Sequence, residues 1–181
     1  MIIDQPDNYN NRFTVGAELN RMISMGSGPF WGVPSGQSGI FLGSRKDFSY
    51  PVVNKRVVLP ERRLVEQRVA KMQPAWKLAY TGSVGSQTLL GLPHLLALTH
   101  QSEVLQQTAA VWPFDTAFAE LIPAQGPLTL HAEIYPSLLD LPGKDKIPDR
   151  EQVRYFVKWL QREQQAGRLA EWLAGPEGLK K

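Results

Sequence analysis

Two short apolar stretches, each with an acid at its end, constrain this chain more than any other feature. The first stretch is Ala109 to Phe114, followed by Asp115, and the second is Leu128 to Tyr135, with Glu133 near its end. Aromatic and β-branched residues in short runs predict strands. The intervening stretch 122–127, with its Pro and Gly residues, has the composition of a loop. We therefore expect two strands whose acids lie at their ends.

The acids Asp115 and Glu133 allow two interpretations. Carboxylates at neighbouring strand ends supply the hard oxygen ligands that a divalent cation needs, with positions left for water and a phosphate. Alternatively, Asp115 caps the turn that follows its strand, and Glu133 is one acid on a half-exposed strand. Residue type and spacing leave both open.

Composition limits the class of protein. The chain has 181 residues, of which 43% are hydrophobic, which predicts a single domain (1–181) with a real core. There is no cysteine, which excludes disulfides and thiolate metal sites. No apolar run approaches the ~20 residues of a membrane span, and the N-terminus lacks the pattern of a secretory signal. We expect a cytoplasmic protein without a membrane partner.

Helix signals lie on both sides of the two strands. Asn11 is predicted to cap a helix over Phe13–Ile23, and Pro60 to begin a second one whose buried face holds Leu64, Val65, Val69 and Met72. A buried helix over Leu89–Leu98 is expected to be broken or kinked near Gly91 and Pro93. Asp149 is expected to cap the longest helix, which buries Val153, Phe156, Val157 and Leu160 and ends at Gly167.

The segment 26–58 is rich in Gly and Pro and is predicted to be a loop insertion. Its aromatic residues suggest that it packs against the domain. It is interpreted either as a lid over a site or as a cover for the edge of a sheet.

Small residues before the third helix form a candidate phosphate site. Backbone N–H groups can approach an anion where small residues lead into a helix N-terminus, and a lysine just upstream can reach the same place. The alternative is a tight turn with capping serines, because the spacing matches no nucleotide-binding motif. The candidate residues are Lys77, Thr81, Gly82, Ser83, Gly85 and Ser86.

The last long helix carries four cations at four-residue intervals: Arg150, Arg154, Lys158 and Arg162. Such a row can follow a phosphate backbone, and we include Arg150 and Arg154 among the candidate ligand-binding residues. The alternative is a solvated helix face. The net charge of +3 permits a phosphate-bearing ligand without requiring one.

Several segments resemble one bacterial family of RNase H-like proteins, often labelled as cobalamin biosynthesis or molybdopterin-guanine dinucleotide synthesis proteins. These segments are Lys77–Leu92 (KLAYTGSVGSQTLLGL), Val111–Thr116 (VWPFDT), Ala132–Leu138 (AEIYPSL), Asp149–Arg154 and Asn8–Asn20. They are co-linear and spread from residue 8 to residue 154, so the resemblance extends over most of the chain.

The resemblance implies an α/β, RNase H-like fold in which these two central strands are parallel and flanked by helices. It also implies a divalent-metal-dependent hydrolase of phosphodiesters, with Asp115, Glu133 and Asp149 as catalytic metal ligands for Mg²⁺ or Mn²⁺. Nucleic acid or a nucleotide-containing small molecule is the implied partner. The biosynthetic labels favour a second function, a non-catalytic accessory protein that binds a nucleotide or cofactor at 81–86.

The family also has an Asp-Trp-Ser-type motif on its first strand and a Phe-Asp-Phe-Pro-type motif, and this sequence contains neither. We therefore expect a truncated relative that lacks the early antiparallel strands. Such a protein would be weakly active or inactive alone, or a remnant that pairs with another chain. An exposed edge of the sheet near Val111 would favour a homo-oligomer.

Overall fold

The computed structural model describes residues 2–7, 9–69, 72–118, 127–139 and 147–175. The chain forms two compact units, Met1–Leu95 and Leu96–Lys181. Each unit mixes helices with one two-stranded sheet, which agrees with the predicted α/β class at this level. The prediction of a single domain over 1–181, and the RNase H-like arrangement in particular, stay predictions.

The first unit contains three helices and one hairpin. The helices are α1 (Arg12–Ser24), α2 (Leu64–Arg68) and α3 (Gly85–Leu96). The hairpin joins β1 (Val52–Asn54) to β2 (Val57–Leu59) in antiparallel register, with Val53 opposite Val58. Lys55, with a φ of 52°, lies in the turn that joins the two strands. All of this hairpin except Leu59 belongs to the segment predicted to be a loop insertion.

The Gly/Pro-rich segment 26–58 builds the core of the first unit. Phe30, Val33 and Leu42 from this segment are buried together with Leu78 and Leu89. The backbone N–H of Trp31 donates to the Trp76 carbonyl at 3.1 Å, and the Leu78 N–H donates to the Trp31 carbonyl at 2.8 Å. The segment therefore supplies buried side chains and a β-bridge to Lys77, and its interpretation as an insertion or lid stays a prediction.

The helices α1 and α2 begin differently from their prediction. Asn11 is the N-cap of α1, but its side-chain oxygen accepts a hydrogen bond from the Ile3 N–H at 2.7 Å instead of capping the helix. The helix predicted to begin at Pro60 begins at Leu64, where the Glu66 carboxylate accepts the backbone N–H of Arg63 at 2.9 Å.

The buried face of α2 also differs from the hydrophobic pattern. Leu64 is 60% exposed and Val65 is 42% exposed, whereas Glu66 is only 1% exposed. The Arg63 guanidinium donates to Glu66 at 2.6 Å, which compensates the buried charge. Met72 is buried as predicted but lies beyond the end of α2, and the predicted burial is wrong for Leu64 and Val65.

Helix α3 continues through Gly91 and Pro93, so a break there is excluded, whereas the kink stays a prediction. The regular helix ends at Leu96, and a π-helical turn over Ala97–Gln101 follows. Proline removes one backbone donor, and a helix can absorb that loss by a local change of its hydrogen-bonding pattern.

The second unit is built on two parallel strands, β3 (Ala109–Trp112) and β4 (Thr129–Ala132). Val111 lies opposite His131, and Trp112 opposite Ala132. Within the part of the chain that the structure describes, β3 pairs with β4 alone. The prediction of two parallel strands is confirmed, and the expected homo-oligomer stays a prediction.

Helices α4 (Pro148–Gln165) and α5 (Leu169–Leu173) complete the second unit. Ile147, not Asp149, is the N-cap of α4, because Pro148 takes the first helical position, where its missing N–H costs nothing. Val153 and Val157, predicted to be buried, are 59% and 46% exposed. Helix α4 ends before Gly167, as predicted, and Gly167 has a φ of 72°.

A buried carboxylate fastens α5 to α4. Glu163 is 7% exposed, accepts two hydrogen bonds from the Arg168 guanidinium at 2.7 and 2.9 Å, and accepts a third from the Trp172 indole at 3.0 Å. The Trp172 ring also meets Trp159 edge to face, with 5.3 Å between centroids.

The attachment of α5 is expected to depend on pH. The hydrogen bonds from Arg168 and Trp172 lower the pKa of Glu163 from 4.5 to about 2. Its contribution to stability is therefore fully present above pH 4.5 and is lost as the pH falls through about 2. Tryptophan fluorescence followed from pH 6 to pH 1.5 should show this loss, and Glu163→Gln should remove that step. Glu171→Gln, on the exposed side of α5, is the matched control, and an unchanged acid transition in Glu163→Gln would contradict the assignment.

Candidate functional site

The carboxyl ends of β3 and β4 meet at one edge of the parallel sheet. Because the register pairs Trp112 with Ala132, Glu133 follows the last residue of β4 directly and Asp115 lies three residues after the end of β3. Both side chains are exposed. In open α/β sheets, ligands bind outside the carboxyl ends of the strands. The structure thus places two of the three predicted acids just after the carboxyl ends of neighbouring strands.

Asp115 is fixed by the turn that it closes. Its backbone N–H donates to the Val111 carbonyl at 2.8 Å, and its Oδ2 accepts the Val111 N–H at 2.7 Å. This is the turn-capping interpretation of Asp115 in atomic detail. The bond uses one carboxylate oxygen and holds the group in place, so Oδ1 remains for a cation.

Asp149 lies in the first turn of α4 and is exposed. Within the described ranges, no group of three or more His, Asp or Glu side chains is arranged to hold a metal ion, and Asp115, Glu133 and Asp149 all belong to those ranges. Two carboxylates do fit Mg²⁺ or Mn²⁺, since Mg²⁺ is commonly held by one or two carboxylates plus substrate phosphates and water. The roles of all three acids stay predictions.

Two buried polar atoms near this edge have no hydrogen-bond partner in the part of the chain that the structure describes. They are Nε2 of His131 and Oγ1 of Thr116. His131 lies in β4, two residues before Glu133. Thr116 follows Asp115 directly. An unpartnered buried polar atom costs about 1–3 kcal/mol, so both atoms would gain from a polar neighbour.

Four hydrogen-bond donors of the candidate phosphate segment have protein acceptors. The Gly85 N–H donates to the Lys77 carbonyl at 3.0 Å, and the Ser83 N–H donates to the Tyr80 carbonyl at 3.1 Å. The Ser86 hydroxyl donates to the Leu78 carbonyl, and the Lys77 ammonium donates to the Thr81 carbonyl at 2.9 Å. These bonds describe the tight-turn interpretation.

Two other members of that segment have structural features of their own. Gly82 has a φ of 76°, a conformation that favours glycine. The Lys77 ammonium lies 5.5 Å from the centroid of the Trp31 ring. Ligand binding by Lys77, Thr81, Gly82, Ser83, Gly85 and Ser86 stays a prediction.

Arg150 and Arg154 lie on α4 with exposed side chains, in the second unit, whereas residues 77–86 belong to the first. Lys158 and Arg162 continue the same row and are also exposed. The four cations therefore lie along one face of α4.

Sequence reasoning missed two residues of the edge, His131 and Thr116. His131 precedes Glu133 by two residues, and this spacing is visible in the sequence. The burial of its Nε2 was not visible there, because it depends on how the rest of the unit packs against the strand.

None of the described helices combines the length and the apolar character that a membrane span requires.

Comparison with known proteins adds no relative: no protein-family model, no curated protein and no solved structure matches the chain.

Proposed function

We propose that this chain is a relative of the divalent-metal-dependent phosphodiester hydrolases, with Asp115 and Glu133 as its acidic site. The parallel register of β3 and β4 carries the proposal, because both exposed acids follow the carboxyl ends of paired strands. The resemblance to RNase H-like proteins supports the same residues.

The protein's own groups would act through position and charge. The bond from the Val111 N–H orients Asp115. Glu133, directly after β4, adds the second negative charge, and together the two carboxylates would attract a cation. A bound Mg²⁺ or Mn²⁺ would supply a Lewis acid for the phosphoryl oxygen and lower the pKa of a water molecule.

We expect hydrolysis to be slow in the chain alone. The third acid, Asp149, does not join the other two in a metal-holding group within the described ranges. Loss of one ligand weakens cation binding and leaves more of the phosphate charge uncompensated. The metal sites of this class usually contain more than two acids, so we propose that this protein is a weakly active relative.

The test measures cation binding and hydrolysis separately. Mn²⁺ binding followed by electron paramagnetic resonance should weaken at least about 10-fold in Asp115→Asn and in Glu133→Gln, since each removes a negative ligand. Metal-dependent cleavage of bis(p-nitrophenyl) phosphate should be slow in the wild type and fall to the blank in both variants. Glu103→Gln, an exposed acid of the same unit, is the matched control.

Two results would contradict the proposal. One is Mn²⁺ binding that neither Asp115→Asn nor Glu133→Gln changes. The other is rapid turnover, about 10 s⁻¹ as in a typical enzyme, that is lost in Glu133→Gln, because a complete site would then be present.

A further inference from the structure

The exposed face of α4 is cationic along most of its length. The helix has 18 residues and is therefore about 27 Å long. Arg150, Arg154, Lys158 and Arg162 follow one another at four-residue intervals, which places them on one side at a spacing of about 6 Å along the axis. All four side chains are exposed.

The acids of α4 do not neutralise this row beyond the first turn. Asp149 and Glu151 lie in the first turn, and the sequence from Gln152 to Arg162 contains no acid. The third acid, Glu163, is buried and receives Arg168 from α5. The middle of the face therefore presents Arg154, Lys158 and Arg162 to a partner.

The cations in the middle of the row, Arg154 and Lys158, have little attachment to the protein. Arg162 donates through Nε to the Lys158 carbonyl at 3.3 Å and lies 5.8 Å from the centroid of the Tyr155 ring. Arg154 and Lys158 form no ion pair with any residue that the structure describes. They can turn toward an anion without breaking an internal bond.

The aromatic residues of α4 argue against a lipid surface as the partner. A helix that lies on a membrane buries aromatic and large aliphatic residues in the lipid while its cations stay at the headgroups. In α4, Phe156 and Trp159 are half-buried and pack on each other at 5.5 Å, and Trp159 also meets Trp172 of α5, which is 59% exposed, at 5.3 Å. The exposed face keeps only Val153 and Val157 as apolar residues beside the cations.

We infer that this face of α4 binds the phosphate backbone of a single-stranded nucleic acid. The inference rests on the proposed function, since it names the polymer that would be presented to the acidic edge. A regular row of cations, without a carboxylate to receive a base edge, fits a backbone of regularly spaced phosphates and implies binding with little dependence on sequence.

The experiment measures binding of a fluorescent 20-nucleotide oligothymidylate by anisotropy in EDTA, where no metal-dependent cleavage occurs. Arg154→Gln/Lys158→Gln should lower the affinity at least about 10-fold. It should also reduce the slope of log K against log salt by about 1.4, since each cation contributes roughly 0.7 on a single strand. The charge-conserving pair Arg154→Lys/Lys158→Arg should keep most of the affinity.

The matched control removes two exposed cations of the first unit, Lys55→Gln/Arg56→Gln, with the same change in net charge. An equal loss in both double variants would overturn the inference, because binding would then follow net charge alone. Binding to vesicles of phosphatidylserine and phosphatidylcholine, without binding to the oligonucleotide, would overturn it as well.

The result separates this inference from the proposed function. Asp115→Asn/Glu133→Gln should bind the oligonucleotide as the wild type does, since the row does not include these acids. If that variant and the wild type bind equally but neither hydrolyses a phosphodiester, the helix face stands and the proposed function fails. If Asp115→Asn and Glu133→Gln weaken Mn²⁺ binding while the row variants bind the oligonucleotide as the wild type does, the proposed acidic site stands and the inference about the helix face fails.

Discussion

Replacing Asn20 with Ala is expected to destabilise the protein by about 3–5 kcal/mol. Asn20 is fully buried at the inner side of α1. Its Nδ2 lies 2.7–2.8 Å from the carbonyl oxygens of Ser27, Phe30 and Phe41, which share its two N–H groups, and its Oδ1 accepts the Phe30 N–H at 2.8 Å. A buried polar group without a partner costs about 1–3 kcal/mol, and this substitution leaves several such groups.

The free energy of unfolding, obtained from urea titrations followed by circular dichroism, measures the effect of Asn20→Ala. Asn20→Asp tests the donor function separately, because it keeps the size of the side chain but faces three carbonyls with a carboxylate. Asn54→Ala in β1 is the matched control and should change stability by no more than about 0.5 kcal/mol. A loss below about 1 kcal/mol for Asn20→Ala would show that these hydrogen bonds do not hold the segment.

Asn20 also explains why the contribution of segment 26–58 to the core was not predicted from the sequence. Gly and Pro residues without hydrophobic periodicity are typical of loops, and this composition predicted an insertion. The segment instead folds around one buried amide that binds three of its carbonyl groups. A single polar residue on α1 gives no periodic signal, so the core formed by Phe30, Val33 and Leu42 could not be predicted.

The second unit followed its prediction more closely, because its signals are local. The short runs at 109–114 and 128–135 contain the observed strands Ala109–Trp112 and Thr129–Ala132. Helix α4 was also expected, although its N-cap is Ile147 and its valines are exposed. The strand pair can be predicted from residue type and spacing, whereas the burial of each helix face depends on contacts that are distant in sequence.

The candidate sites divide in the same way. The edge formed by Asp115 and Glu133 follows from two strand ends and could be expected from the sequence. The hydrogen bonds of the 77–86 turn could not, because their acceptors are carbonyls positioned by the first unit's fold. Small residues before a helix look the same in sequence whether they bind a phosphate or close a turn.

Gly85→Ala is expected to distinguish these two roles, with a loss of about 3 kcal/mol in stability. A Cβ at Gly85 would lie 2.6 Å from the Ala75 carbonyl oxygen and 2.7 Å from the Lys77 carbonyl oxygen. Both are backbone atoms, so the strain cannot be relieved by rotating a side chain. If Gly85 served only the approach of a ligand, the substitution would leave the stability of the free protein unchanged.

Gly91→Ala provides the matched control within the same helix. A Cβ at Gly91 has no atom within 4 Å among the residues that the structure describes. Because alanine favours the helix over glycine, Gly91→Ala should stabilise the protein by about 0.5–1 kcal/mol. Urea titrations of both variants therefore test a difference in sign, not only in size. Equal effects at the two positions would contradict the close packing of the 77–86 turn, and the phosphate-binding interpretation of its glycines would gain support.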